Sequence, residues 1–568
     1  MVAAHLDPRH PRAAERSPPA SYHRILEALA PHAEAFALAL DDVEAAQDAR
    51  AVAIAGHLGV RTARQLQDAV PLTTYDDLEP AIEAVARGEQ PGLCPAAGPS
   101  FDVRWFEQSG GSSGPRRLLP MTDAFLAELQ QGLAPWLFHM WKAFPASMAG
   151  PAYWSISPIG RGRPTTASGL SIGAAEDTAY FPPGVVEDLG RVMAVPGAVA
   201  LMPDVEACRY ATVRLLLQSP ALAFVSVWSP TFLTLLMRTV DEHQERLLED
   251  LAAGTCRVPG ADSRAPARAL VVEKVLRELP LAADPRRADR LGAVLRDKGR
   301  LDGGDLWPAL ALISLWTDAE SHRFLPAIRS RFAGVGLQGK GLLATEGMLS
   351  LPWPGAPAPV LAARSHVVEF IDEDAPHTRP RLAHEVEPGR TYAIALSSSA
   401  GLLRYRLGDR VEVVGRAGTA PCFRFVGRGD AVSDLCGEKL SGAFVDGALT
   451  QALQGRRPAF AMLAPSFAEG SDRPHYRLYL ELDVEDRVAA EVGRRLDEAL
   501  TQSAPYGYAR SLGQLGPVRV VRVAHGQRHY EAACIEEGQR AGDLKPLALH
   551  KRAGWDEVFA GRRLEGGA

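Results

Sequence analysis

Between the apolar pair Trp105-Phe106 and the run Leu118-Leu119-Pro120-Met121-Thr122 lies Ser109-Gly110-Gly111-Ser112-Ser113-Gly114-Pro115-Arg116-Arg117. Glycines and hydroxyls in this density cannot continue a regular element. The chain must therefore pass from an extended segment through a loop before it reaches a helix. Successive backbone N–H groups of such a loop can converge into a concave nest for phosphate oxygens. The hydroxyls add donors and the trailing arginines add charge. A flexible connection or a turn has the same composition, so a function for this loop depends on what the rest of the chain supplies.

Composition narrows the class. At about 150 residues per unit, a chain of 568 residues suggests three or four structural units. Hydrophobic residues make up 46% and charged residues 23%, as in a folded soluble protein, and 43 prolines imply many loops. A net charge of -6 gives no general pull toward nucleic acid or an anionic membrane, and no basic cluster alternates with aromatics. Cys94, Cys208, Cys256, Cys422, Cys436 and Cys534 are far apart and form no CxxC pair. Reduced thiols fit that spacing better than a disulfide framework or a zinc site. Residues 1–20 contain Pro8, Pro11, Pro18 and Pro19 and read as a disordered start without the apolar core of a secretory signal. No apolar run approaches the ~20 residues that cross a bilayer. The expectation is a cytoplasmic monomer with no nucleic-acid or membrane partner.

Periodicity sets out the organisation. An alanine-rich helical stretch is expected from Ser21 to about Gly56, with Leu26, Leu29, Ala30 and Ala33 on one face. Val70 to Glu79 reads as a connector into a helix capped by Thr74 or Asp76. Asp123 to Lys142 reads as a long helix with Phe125, Leu129 and Leu133 on one side. Ala221 to Trp228 reads as a buried strand, and Pro230 to Val240 as a helix opened by its proline. Such alternation argues for α/β layers. Gly254 to Arg268 reads as an exposed excursion, and strands dominate Thr391 to Phe425. The last ~130 residues read as a small α+β unit of domain size. It has a strand at Tyr476–Leu482, a helix face of Val488, Val492, Leu496 and Leu500, and a strand at Val518–Val523.

Two motif matches lead nowhere on this reading. Gly334 to Gly339 fits GxGxxG, but no convincing strand precedes it and no long helix follows. Gly110 to Gly114 fits GxSxG with Ser112 as nucleophile, yet Pro115 and Pro120 interrupt the passage into a helix that a nucleophile elbow needs. A hydrolase stays an outside reading. GxxxxGK[ST] is absent.

Three other segments suit a nucleotide site. Gly341-Leu342-Leu343-Ala344-Thr345-Glu346-Gly347 would end a strand with a hydroxyl and a carboxylate, where α/β folds bind ligands. Glu346 suits Mg²⁺, which takes few carboxylates beside substrate phosphates; a solvated turn glutamate fits equally. In Arg404-Tyr405-Arg406-Leu407-Gly408-Asp409, Gly408 lets the backbone turn and puts Asp409 at the tip. A carboxylate there can accept both hydroxyls of a ribose, or simply pair with the arginines. Phe425-Val426-Gly427-Arg428-Gly429-Asp430 runs on to Gly437-Glu438-Lys439, where the strand-rich region gives way to the terminal unit.

These segments, in this order, resemble the GH3 family of acyl acid–amido synthetases, of the adenylate-forming superfamily. Val70 to Gln90, Val227 to Leu235 and Trp307 to Trp316 are similar to that family too, so the resemblance runs from about residue 20. Gly341–Gly347 resembles the bacterial form of the family's acid-bearing motif. The phosphate loop ends in Arg116-Arg117 where the family usually has a lysine, and Gly542-Asp543-Leu544-Lys545-Pro546 is similar to its C-terminal lysine motif.

The resemblance implies an α/β fold with a large N-terminal domain (21–435) containing sheets and a barrel-like portion. A small mobile α+β domain (436–568) would join it near Asp434 to Lys439. It implies that a small carboxylic acid attacks the α-phosphate of ATP to give acyl-AMP and pyrophosphate. An amine, usually an amino acid, then displaces AMP. An acyl-CoA or carrier-protein ligase and a catalytically silent acid-binding homologue remain the alternatives. In the implied site, Ser109, Gly110, Gly111, Ser112, Ser113 and Gly114 hold phosphates, and Ala344 and Thr345 line the nucleotide. Glu346 holds Mg²⁺, Asp409 and Arg428 fix the ribose, and Arg117 and Lys545 supply catalytic charge. Trp228, Phe232 and Met237 read as core, near a helix where the family places acid contacts.

Overall fold

The computed structural model describes residues 18–89, 102–109, 117–156, 164–173, 180–261, 266–373, 375, 377–428, 432–433, 435, 438, 440–466, 474–511, 515–537, 539, 544 and 547–559. The alanine-rich stretch is two helices rather than one, α1 (Ala20–Asp41) and α2 (Val43–Ala55). Asp42 breaks it, because its carboxylate accepts from Ala45 N and caps α2. The buried stripe of α1 is Tyr22, Ile25, Leu29, Ala33, Phe36 and Leu40, with Leu26 and Ala30 at its margin. Large side chains, with Ala33 as the one buried alanine of α1, thus set the buried face. After α3 (Ala63–Ala69), helix α4 (Tyr75–Ala86) starts as expected at Thr74, whose N and Oγ1 both donate to Asp77 Oδ2 at 2.8 Å.

Strands β1 (Val103–Ser109) and β2 (Arg117–Thr122) form an antiparallel hairpin, with Ser109 opposite Arg117. Thr122 then caps α5 (Asp123–Ala143), its Oγ1 accepting from Phe125 N at 3.1 Å. A whole strand therefore separates the glycine-rich connection from the helix, which is not the strand–turn–helix of a nucleophile elbow.

A four-stranded parallel sheet, in chain order, is made of β3 (Ala152–Trp154), β4 (Phe224–Ser226), β5 (Leu312–Leu315) and β6 (Gly336–Gly339). Between β3 and β5 run α6 (Pro183–Val192), α7 (Val205–Leu217) and α8 (Pro230–Ala253). Alternate residues face opposite layers. Phe224 and Leu312 pack with α5, while Val225, Ile313 and Leu315 pack with α7 and α8. The GxGxxG match is β6 itself, and a hairpin rather than a helix follows it. Gly254 to Arg268 is only partly an excursion, since Cys256 and Val258 are buried and Arg268 pairs with Asp204.

Beyond the small hairpin β7 (Leu343–Ala344) and β8 (Gly347–Met348) lies a six-stranded antiparallel sheet. Its strands are β9 (Ser350–Leu351), β10 (Val360–Leu361), β11 (Val367–Asp372), β12 (Thr391–Ser398), β13 (Leu402–Ala417) and β14 (Ala420–Arg428). Their spatial order is β11-β12-β13-β14-β10-β9. Short β15 (Val432–Ser433) and β16 (Leu440–Ser441) lead to a last sheet, β17 (Phe460–Ser466), β18 (His475–Glu481) and β19 (Arg519–Arg522). Helices Gly442–Leu453 and Asp486–Leu500 cover one face of it and Gly526–Glu536 the other. These last elements close two apolar cores of their own, drawn only from residues 435–559. Among the described residues, no helix is long and apolar enough to cross a membrane.

Candidate active site

The hairpin β1–β2 holds both ends of the glycine-rich connection. Gly110, Gly111, Ser112, Ser113, Gly114 and Arg116 lie outside the described residues, and Ser109 is placed as the last residue of β1. Arg117 opens β2 with its guanidinium over the Tyr75 ring, 5.2 Å from the centroid, and donates a long 3.4 Å bond to Tyr405 Oη. Tyr75 in turn accepts from Leu118 N at 2.9 Å. Burial raises the pKa of its phenol, against a smaller opposing pull from the neighbouring Arg117 charge. The cation is thus fixed where β2, the start of α4 and β13 meet. Thr73 completes the junction: its N donates to Arg404 O at 3.0 Å, and its O accepts from Arg406 N at 2.8 Å.

Asp409 is not at a hairpin tip. It sits inside β13, is 5% exposed, and stands opposite Arg428, the last residue of β14. The glycine beside it serves a bulge instead of a turn. Gly408 has φ 82°, and pairing with β12 slips between Arg406 and Arg410. Across the strand Gly427 (φ 142°) marks a second slip. Two bulges side by side re-aim a carboxylate without ending the sheet. The next residue, Arg410, pairs with Glu373. Arg404, at φ 50°, forms a buried two-pronged pair with Glu369 at 2.7 and 2.8 Å and donates to the carbonyls of Gln67 and Val70.

Thr345 and Glu346 are the tip of β7–β8, where Ala344 pairs with Gly347. Glu346 is 8% exposed, so the solvated-turn reading does not hold. Beneath the tip lies His366, fully buried. Its Nδ1 is 3.0 Å from Glu128 Oε2, and a Cβ on Gly347 would come within 2.7 Å of its Nε2. Glu128, on α5, also accepts from Ser399 N at 3.1 Å, Ser399 Oγ at 2.5 Å and Arg50 Nη2 at 3.1 Å. Ser399 O accepts from Thr122 Oγ1 at 3.0 Å. One buried carboxylate therefore ties together the helix behind the glycine-rich connection, the support of Glu346, and the turn that enters β13.

A second polar group lies at the carboxyl edge of the parallel sheet. Lys340, directly after β6 and 3% exposed, donates to Ser226 Oγ at 2.7 Å. Its Nζ lies 4.5 Å from the Trp228 ring centroid and 4.9 Å from that of Trp136. Gln338 Oε1 accepts from Trp136 Nε1 at 3.1 Å and from Ser314 Oγ at 3.3 Å. Phe232 and Met237 are core, as read from the sequence, but Trp228 is a wall over this lysine. Asp318, beyond β5, reaches Phe425 N of β14 at 3.4 Å, and burial raises its pKa. Sequence reading missed Lys340, Asp318, Glu128 and His366. A lysine wedged between a glycine-rich strand and Leu342-Leu343 was the one visible signal.

Lys545 lies outside the described residues, as do Asp434, Cys436, Gly437 and Lys439 of the expected joint. Leu544, beside it, is 4% exposed in the core with Trp555 and Phe559. The side chain of Arg428 is likewise outside what is described.

Three family models match the chain in succession: the GH3 family N-terminal domain over residues 51–337, the central domain over 359–428 and the C-terminal domain over 447–553. The chain is 23% identical to an indole-3-acetic acid-amido synthetase, GH3.3, of Arabidopsis thaliana, covering 83% of this chain and 81% of that protein. A GH3 domain-containing protein of Homo sapiens is 30% identical, covering 55% of this chain and 57% of that one. In fold, the chain matches the solved structure of the GH3.15 acyl acid amido synthetase with a TM-score of 0.75 at 17% identity, over 93% of this chain and 94% of that one.

Proposed function

The chain belongs to the GH3 family, and on that premise we propose that it is an ATP-dependent ligase that activates a small carboxylic acid as acyl-AMP and passes the acyl group to an amine, such as an amino acid. What supports this reading is one framework beneath the elements that carry two sequence-distant carboxylates. Glu128 of α5 bonds Ser399, in the turn that enters the β13 strand of Asp409, and His366, which lies against Gly347 of the Glu346 hairpin. The relatives named indole-3-acetic acid-amido synthetases support the amide-forming outcome.

The chemistry explains the residue types. A carboxylate must approach a phosphate, so the site has to neutralise charge and needs no protein nucleophile. Backbone N–H groups of Gly110–Gly114, with Ser109, Ser112 and Ser113, would hold the phosphates, and Arg117 would set a fixed cation at the loop's exit. Asp409 would accept from the ribose hydroxyls with Arg428 opposite it, and Ala344 and Thr345 would line the nucleotide. Among the described residues no three His, Cys, Asp or Glu side chains gather as a metal cage. The Glu346 carboxylate fits Mg²⁺, which keeps waters and substrate phosphates as its other ligands. Bound there, Mg²⁺ would supply positive charge against the phosphate oxygens. Lys545, in the unit after about residue 436, would reach the α-phosphate only when the 21–435 and 436–568 units close on each other.

The test is a screen that crosses carboxylic acids with amino acids, scored by pyrophosphate release and by mass spectrometry of the amide. Acid-dependent pyrophosphate release with an amide product supports the reading. A thioester formed with coenzyme A, and no amide with any amine, would overturn it in favour of an acyl-CoA ligase.

A further inference from the structure

The carboxyl edge of the parallel sheet carries more polarity than an acyl pocket for a simple acid requires. Ser226, Ser314 and Gln338 are register partners on β4, β5 and β6. They lie two residues beyond Phe224, Leu312 and Gly336, so they share the face that packs toward α5. Ser314 is fully buried, and the Trp136 indole donates to Gln338. Above this row the Lys340 ammonium is held between the faces of Trp136 and Trp228 and bonded to Ser226. At the same edge, the Trp154 Nε1 donor is buried without a hydrogen-bond partner among the described residues.

An ammonium over two indole faces is stabilised as a cation. Placed where open α/β sheets receive ligands, it selects for an anion and against a purely apolar acyl group. We propose that Lys340 and the Ser226–Ser314–Gln338 row bind the distal end of the acid substrate, and that this acid carries a second carboxylate. The inference rests on the acid-activating reading given above and names its substrate class. The reacting carboxylate lies toward the nucleotide, and the distal one meets the Lys340 ammonium that the two indoles hold. The depth of the group favours the acid over the amine, because Lys340 is only 3% exposed and the acid must be seated before the amine enters.

The test compares terephthalate with 4-methylbenzoate and adipate with hexanoate, as substrates in pyrophosphate release and as ligands in calorimetry without ATP. Wild-type protein is expected to favour the dicarboxylate of at least one pair by tenfold or more in kcat/KM. Lys340→Met should invert that preference, Lys340→Arg should keep it, and melting temperatures will show that both variants are folded. The proposal is overturned if wild type prefers the monocarboxylates or if Lys340→Met leaves the ratio unchanged. A change confined to the KM of the amine also overturns it. Dicarboxylate binding that drops tenfold in Lys340→Met, with no pyrophosphate released for any acid, would uphold the site and remove the ligase reading instead.

Discussion

Replacing Gly347 with alanine would put a methyl carbon 2.7 Å from both Nε2 and Cδ2 of His366. Comfortable contacts between such atoms lie at about 3.5–4.0 Å, so something must yield by about 1 Å. The imidazole has little room to do so. It is fully buried, bonded through Nδ1 to Glu128 at 3.0 Å, and stacked on Phe125 with centroids 5.5 Å apart. The hairpin therefore gives way, and Glu346 moves with it. Overpacking of this kind costs about 1–3 kcal/mol in stability. A misplacement of about 1 Å at a reacting group costs on the order of 100-fold in rate. Urea unfolding and acid-dependent pyrophosphate release, measured on one preparation, read both effects. Gly347→Ala/His366→Ala returns the space, so the two changes should couple by about 0.5–3 kcal/mol in favour of the double variant. Wild-type stability and turnover in Gly347→Ala, or plain additivity in the double variant, would refute this view of the hairpin.

Two further expectations concern the site and the C-terminal unit. Glu346→Gln should depress adenylation and raise the Mg²⁺ requirement, and Asp409→Ala should weaken ATP binding by about 1.5–3 kcal/mol for lost charge-assisted hydrogen bonds; steady-state ATP kinetics unchanged in both would contradict the assignments. Burial pulls the His550 imidazole down to about 4, below the ~6.5 of an unfolded chain. The folded protein resists its protonation, so the stability tied to His550 is fully present above about pH 6.5 and is lost as pH falls toward 4. Over that window the loss approaches about 3 kcal/mol. Urea midpoints followed by fluorescence of Trp555, which packs on His550 at 4.7 Å, should fall on acidification in the wild type and fall less in His550→Gln. Equal slopes would remove His550 as the cause.

Local rules were legible where local chemistry decides. Thr74 as a cap, the helix from Asp123, the proline-opened helix at Pro230 and the strands of Thr391–Phe425 all stand as read. Misreadings arose where tertiary contacts override sequence pattern. Asp42 splits an unbroken alanine-rich run because its side chain caps the next helix while Thr419 takes the Val43 N–H. Gly408 looked like a turn because glycine permits positive φ, yet the neighbouring strands β12 and β14 hold it in a bulge. Strand β17 drew no notice, although Phe460 to Ser466 is buried throughout. A strand buried on both faces shows no alternation to read. The proposed site divided in the same way. Glu346 and Asp409 announced themselves through adjacent glycines, whereas Glu128, His366 and Lys340 acquire meaning only from partners 78 to 271 positions away or from rings packed across the sheet.

Acyl-adenylate chemistry makes a prediction about a single oxygen atom. When the acid is supplied with ¹⁸O in its carboxylate, one labelled oxygen becomes the bridge to the α-phosphate. Attack of the amine on the acyl carbon then breaks the bond on the carbon side. Mass spectrometry of the products should show AMP carrying one ¹⁸O, an amide retaining the other, and unlabelled pyrophosphate. Label in inorganic phosphate with ADP as the nucleotide product would mean attack at the γ-phosphate. That result, or AMP free of label, would contradict the activation step on which the proposed function stands.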